Sequence, residues 1–78
     1  MKRPIYDIKT DGDVTVIMQV TTPYIETEYG TELLPDEICI VAEDYDYDKD
    51  ESIETVILLS KKQAINFAIK LLELANEI

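Results

Sequence analysis

The apolar residues of this chain alternate with a period of two over its first three quarters and then recur about every 3.6 residues. Period two is typical of strands and the longer period of helices, so strands should come first and one helix should close the chain. We therefore expect an α+β fold, a small, mostly antiparallel β-sheet of about four to five strands with one C-terminal α-helix packed on one face. A chain of 78 residues is too short for two cores, which predicts a single compact domain over residues 1–78.

The first hairpin is predicted at Asp11-Gly12, between two strand-like runs, because a glycine can adopt the positive φ that tight hairpins require. The second run would turn one set of alternate side chains to the core, namely Val14, Val16, Met18 and Val20. Residues 21–36 alternate weakly and are interrupted by proline and glycine. An edge strand followed by a loop is expected there.

Residues 37–44 and 53–60 are short, apolar and rich in β-branched side chains, which predicts two adjacent antiparallel strands. Their apolar residues occupy both faces, as in strands that are covered on both sides. Ser60 precedes the helical pattern and can accept a backbone N–H of the first turn, so the helix should start there. The two lysines that follow Ser60 would lie at the positive end of the helix dipole, where acids of the sheet could compensate them.

The apolar side of the predicted helix is wider than one sheet needs. It spans roughly 220° of the helical wheel, whereas packing on a single sheet uses a little over 100°. Overhanging strands or loops could cover the excess, or the helix could form a homodimer or subunit contact. The candidate oligomer interface consists of Ile69, Leu72, Leu74 and Ile78.

The charge of the chain is concentrated in its middle. The net charge is −10, and residues 21–60 carry twelve acids against the single base Lys49. Such a field repels nucleic acid and anionic membrane and attracts basic protein surfaces over roughly 8 to 10 Å. We therefore expect a basic, nucleic-acid-binding protein as the partner, with no direct binding to nucleic acid or membrane.

The densest acidic stretch, "EDYDYDKDESIE" at residues 43–54, first suggests a calcium loop. Asp44, Asp46, Asp48 and Asp50 match alternate positions of the EF-hand pattern. However, Lys49 stands where the loop needs glycine, Thr55 stands where it needs glutamate, and the flanking segments are strand-like. No metal site is predicted.

Two interpretations of this stretch remain. A solvated turn would keep the strand edges from aggregating. Alternatively, Asp44, Asp46 and Asp48 would form an extended row that imitates a phosphate backbone. Successive acids would lie roughly 6.6 Å apart, which is of the same order as two phosphate steps along one DNA strand. The tyrosines would then supply contact area of the kind that is enriched in interfaces. The candidate partner-binding residues are Glu43, Asp44, Tyr45, Asp46, Tyr47, Asp48, Asp50, Glu51 and Glu54.

The sequence offers little for catalysis. It contains no histidine for acid–base chemistry and two glycines, too few for a phosphate-binding loop, so neither an enzyme nor a cofactor is expected. Cys39 is the one cysteine and cannot form an intrachain disulfide, and no apolar segment is long enough to serve as a leader or span. These features are typical of a cytoplasmic protein.

These observations together favour a small acidic, non-enzymatic protein-binding domain. The expected role is an inhibitor that occupies the nucleic-acid groove of a basic protein as a DNA mimic. Phage-encoded inhibitors of host defence nucleases resemble this chain in size and charge, although no motif carries the likeness. The alternatives are an assembly domain that forms a homodimer through its helix, and an antitoxin or immunity-type protein.

Overall fold

The structure is a computed structural model that describes residues 3–78. Over these residues the chain forms six strands and one helix, β1 (Ile5–Lys9), β2 (Thr15–Thr21), β3 (Tyr24–Thr27), β4 (Gly30–Leu33), β5 (Glu37–Asp46), β6 (Glu51–Leu59) and α1 (Lys61–Ala75). The main sheet has the order β1-β2-β5-β6, and β3 and β4 form a separate two-stranded sheet. All neighbouring strands are antiparallel. The predicted α+β class, with a small antiparallel sheet and one C-terminal helix, is confirmed.

The predicted first hairpin is confirmed, but its turn is longer than expected. Lys9 of β1 pairs with Thr15 of β2, which leaves five residues in the loop. The Thr10 hydroxyl donates to the Val14 carbonyl at 2.7 Å and accepts from the Gly12 N–H at 3.3 Å. The Thr10 side chain organises this longer loop. Gly12 does not adopt the positive φ that was predicted for a tight turn.

Residues 24–33 form a hairpin where an edge strand and a loop were expected. Gly30 takes a φ of +123°, which permits the short turn between β3 and β4. The hairpin packs on no other strand or helix of the described chain. Its base is fixed by the Arg3 guanidinium, which donates to the Thr22 hydroxyl at 3.0 Å and to the Asp36 carboxylate at 3.2 Å. It therefore projects from the main sheet as an arm, here called the β3–β4 arm.

The two predicted apolar strands are confirmed as antiparallel neighbours, and both are longer than expected. β5 and β6 pair from Ile38 opposite Leu59 to Asp46 opposite Glu51. β2 pairs with β5 only as far as Glu43, which lies opposite Thr15. Residues 44–53 therefore extend beyond the sheet as a two-stranded protrusion, here called the acidic tip.

The register divides the main sheet into two unlike faces, since residues directly opposite each other point to the same side. The apolar face carries Tyr6, Ile8, Val16, Met18, Val20, Ile38, Ile40, Ala42, Ile57 and Leu59. On the same side, the acidic tip carries Ile53 opposite Asp44. It includes the strand residues that were expected to face the core. The mixed face carries Ile17, Cys39, Val41, Val56 and Leu58 among the charged residues Asp7, Lys9, Glu37, Glu43 and Glu54.

The helix starts at the predicted residue. The Ser60 hydroxyl accepts from the Gln63 N–H at 3.2 Å, and the Gln63 side chain accepts from the Ser60 N–H at 3.0 Å, which forms a capping box. The first two turns of α1 meet the sheet at a groove. The helix contributes Lys61, Ala64 and Ile65 to its lining, and the opposite wall consists of Val20, Asp36, Glu37 and Ile38. Lys61 thus lies near Asp36 and Glu37, although it forms no ion pair within 4 Å with any of residues 3–78.

Beyond this groove the helix leaves the sheet uncovered. Every α1 residue except the half-buried Ala64 is exposed. Among residues 3–78, Ile40 alone is buried, with 8% of its surface exposed. The expectation that β5 and β6 are covered on both faces is therefore not met within one chain, because the helix that would cover one face touches only its end.

Candidate functional site: the acidic tip

The structure brings the predicted partner-binding residues together on one hairpin. Glu43 and Glu54 lie directly opposite each other at its base, on the mixed face. Asp46 and Glu51 form the last cross-strand pair. The stretch from Glu43 to Glu54 carries seven acids against Lys49. None of these seven carboxylates lies within 4 Å of a lysine or arginine nitrogen in residues 3–78.

Two of the acids hold the turn in place. The Asp46 carboxylate accepts from the backbone N–H of Asp48 at 3.0 Å and of Lys49 at 3.3 Å. A short acidic side chain commonly bonds to the backbone two residues on in this way. Asp50 has a φ of 53° and accepts a hydrogen bond from the Tyr45 hydroxyl. Aspartate tolerates this left-handed conformation better than most residues do.

Three of the five acids within the acidic tip have no such role. The side chains of Asp44, Asp48 and Glu51 form no hydrogen bond or ion pair with any residue from 3 to 78. Each is exposed. The hairpin thus does not need these three charges for its own fold, and they are available to a partner.

The extended acidic row is shorter than the sequence predicted. β5 ends at Asp46, and Asp48 lies in the turn that Asp46 caps. Only Asp44 and Asp46 therefore share one face at strand spacing. The phosphate-like arrangement at the tip comes from both strands and the turn, rather than from a single row.

The tyrosines of the tip form a small aromatic surface. Tyr45 and Tyr47 contact edge to face, with ring centroids 4.8 Å apart and planes at 71°. Such a pair is favourable beyond the area it buries, by about 0.5–1.5 kcal/mol. Tyr47 remains exposed. The pair presents a rigid, amphipathic patch beside the unpaired carboxylates.

Sequence reasoning missed two acids that the sheet adds to this site. Asp7 of β1 and Asp13 of the first loop line a shallow groove together with Glu43 and Tyr45. The order β1-β2-β5 places them there, although they precede the acidic stretch by some thirty residues. Lys9 lies 3.8 Å from Asp7 in the same groove. The local sequence around Asp7 has balanced charge and therefore does not mark it as part of an acidic site. Only the strand order shows that it lies close to Glu43.

Within residues 3–78, no three Asp, Glu or Cys side chains converge as metal ligands would. The acids of the tip are instead distributed along two strands and a turn. This arrangement suits an extended contact with a charged surface better than the enclosure of an ion.

The candidate oligomer interface on α1 is also exposed. Leu72 and Leu74 have 65% and 64% of their surface exposed, and Ile69 and Ile78 are exposed as well. The first three of these residues lie on α1 and Ile78 follows it. α1 meets the sheet at the Ile38 end of β5, whereas the acidic tip lies at the Asp46 end, so the two predicted sites are separate surfaces.

No family model, curated protein or solved structure matches this chain. In the part of the chain that the structure describes, no helix is both long and apolar enough to cross a bilayer. The function must therefore be inferred from the surfaces themselves.

Proposed function

We propose that the protein is a small acidic inhibitor that binds a basic, nucleic-acid-binding protein through the acidic tip. The tip would occupy the partner's nucleic-acid groove, with Asp44, Asp48 and Glu51 in place of phosphates. The tyrosine pair would pack beside them. The protein itself would be non-enzymatic and would work in the cytoplasm alongside its target.

The observation that carries this proposal is the placement of acid opposite acid. Glu43 faces Glu54, and Asp46 faces Glu51, in positions where opposite charges would stabilise the hairpin. Like charges directly opposite each other are destabilising, and no base of residues 3–78 forms an ion pair with them. A basic surface docked on the tip would relieve this repulsion. Relief of this repulsion would thus contribute favourably to the free energy of binding.

The protrusion of the tip favours the same role. Residues 44–53 pair only with each other, so both edges and both faces of this segment are accessible. A narrow, two-stranded protrusion can enter a groove that a flat sheet cannot. The net charge of −10 would steer it toward a basic groove and raise the association rate.

The test is affinity capture from a lysate of the source cells or their host, with elution across a salt gradient. One bait is the native chain. The second carries Asp44→Asn, Asp48→Asn and Glu51→Gln, which removes the three carboxylates that the fold does not use. We expect the native bait to retain a basic nucleic-acid-binding protein that the second bait loses, and duplex nucleic acid to compete for that protein.

The matched control carries Glu26→Gln, Glu28→Gln and Glu32→Gln, which removes the same charge from the β3–β4 arm. If both variants lose the partner equally, net charge alone attracts it and the tip is not the site. If the partner survives both variants and high salt, the proposal is wrong. A captured basic toxin that does not bind nucleic acid would instead assign an antitoxin or immunity role to the same surface.

A further inference from the structure

The single chain leaves far more surface exposed than a compact protein of its size. A monomer of 8.9 kDa is expected to expose about 4,800 Å². This chain exposes 6929 Å², an excess of about 2,100 Å². Its radius of gyration is 16.0 Å, whereas 78 residues in one globule give about 11.5 Å. The fold therefore has two large surfaces that one copy does not bring together.

The first of these surfaces is the apolar face of the main sheet. A groove on it is lined almost wholly by apolar atoms, from Pro4, Tyr6, Met18, Val20 and Ile38. On both sides of the central strands the face remains open, with Tyr6 of β1 60% exposed and Ile57 of β6 41% exposed. An apolar area of this extent normally marks an interaction surface.

The second surface is the apolar side of α1. Its exposed large residues are Ile65, Phe67, Ile69, Leu71, Leu72 and Leu74. Only the first two turns of the helix reach the sheet. A helix with so wide an apolar side is stable when another element packs on it.

We propose that the protein is a homodimer in which α1 of each copy packs across the apolar face of the other copy's sheet. The contact is reciprocal, so one two-fold axis relates the two helices and closes the assembly. Each sheet gains the helical layer that its own chain does not supply. Each helix gains a second sheet to bury its wide apolar side.

The dimensions of the two surfaces agree. The ten residues of α1 beyond the contact with its own sheet, 66–75, are about 15 Å long. Four strands at about 4.8 Å spacing are about 14 Å wide between the outer strand axes. One helix can therefore cross the whole sheet. Part of the excess belongs to the β3–β4 arm and the acidic tip, which stay exposed in the dimer. Burying about half of it on each copy gives a total of about 2,100 Å², at the lower end of the range of obligate homodimers.

The distribution of charge favours a second copy as the occupant. Residues 61–78 carry three lysines and two glutamates, a net charge of +1, and residues 1–60 carry −11. Exchange of the helices places the positive segment of each copy on the negative body of the other. The acidic tip lies at the opposite end of β5 and β6 from the start of α1. This dimer does not depend on the function proposed for the tip.

The test is the mass of the native chain and of three variants, measured by light scattering on a sizing column at micromolar concentration. We expect the native chain to have twice the mass of 8.9 kDa. Leu72→Glu alters the helix and Ile8→Glu alters the sheet, and each alone should give a monomer. Asn66→Glu adds the same charge on the polar side of α1 and should remain a dimer. Circular dichroism checks that each variant keeps its helix and strands.

A mixture of the two disrupted variants is the deciding measurement. The Leu72→Glu copy keeps an intact sheet and the Ile8→Glu copy keeps an intact helix, so the mixture should regain dimer through one native contact. A native chain of 8.9 kDa would overturn the proposal. A dimer that Leu72→Glu abolishes and Ile8→Glu leaves intact would show helix-to-helix association and would equally overturn it.

Discussion

Glu43 of β5 and Glu54 of β6 lie directly opposite each other at the base of the acidic tip. The pair sits on the mixed face, beside a groove in which Asp13 adds further negative charge while Asp7 is paired with Lys9. Repulsion between the two glutamates falls at the point where β5 and β6 extend beyond β2. The same acids therefore lower the local stability of the tip and raise its capacity to bind a basic surface.

Replacing Glu54 with lysine should stabilise the hairpin, because the repulsive pair with Glu43 becomes an attractive one. Cross-strand charge pairs contribute up to about 1 kcal/mol, so the free energy of unfolding should rise by up to about that amount. Urea unfolding at low salt measures the change, and added salt should reduce it. Glu28→Lys is the control, since Glu28 lies in the turn of the β3–β4 arm and faces no acid. An equal gain in the control would attribute the effect to net charge.

Replacing Asp46 with alanine should loosen the turn of the acidic tip. The substitution removes the acceptor for two backbone N–H groups, those of Asp48 and Lys49, and should cost about 1 kcal/mol. Asp46→Asn keeps a side-chain oxygen in the same place and should lie within about 0.5 kcal/mol of the native chain. Chemical denaturation of the three proteins gives both values. If asparagine is as destabilising as alanine, the charge of Asp46 rather than its hydrogen bonds holds the turn.

Several elements of the fold were predictable because local chemistry fixes them. Ser60 precedes an apolar helical period and has glutamine three residues later, and the capping box forms where this pattern indicates. The apolar runs around Ile40 and Ile57 form neighbouring strands for the same reason, since a short apolar run rich in β-branched residues is recognised without a distant partner.

Other features depend on contacts that a local pattern does not contain. The first loop follows the Thr10 side chain rather than Gly12, and residues 24–33 pair with themselves because Gly30 permits a tight turn. The approach of Asp7 to Glu43 arises from the strand order. The sequence likewise did not predict that α1 covers so little of the sheet. A helical period shows that one side of a helix must be buried, but it does not show which surface buries it.

Replacing Ser60 with alanine should destabilise the junction between β6 and α1. The loss of the cap should cost about 1 kcal/mol, because the Gln63 N–H loses its acceptor at the first turn. Ser52→Ala is a matched control on β6, where the serine side chain forms no hydrogen bond with residues 3–78. Thermal unfolding followed by circular dichroism compares the two. Equal effects would mean that the capping box contributes nothing to the folded state.

The proposed dimer predicts that the two faces of the sheet differ in their access to reagents. Met18 lies on the apolar face, under the expected position of the partner's helix, and Cys39 lies on the mixed face, which that helix does not reach. Met18 should therefore be slow to oxidise with peroxide in the native chain and fast in the monomeric Leu72→Glu variant. Alkylation of Cys39 should proceed at similar rates in both proteins. Mass spectrometry of the peptides that contain each residue measures the two rates. Equal oxidation of Met18 in both proteins would place the partner's helix elsewhere.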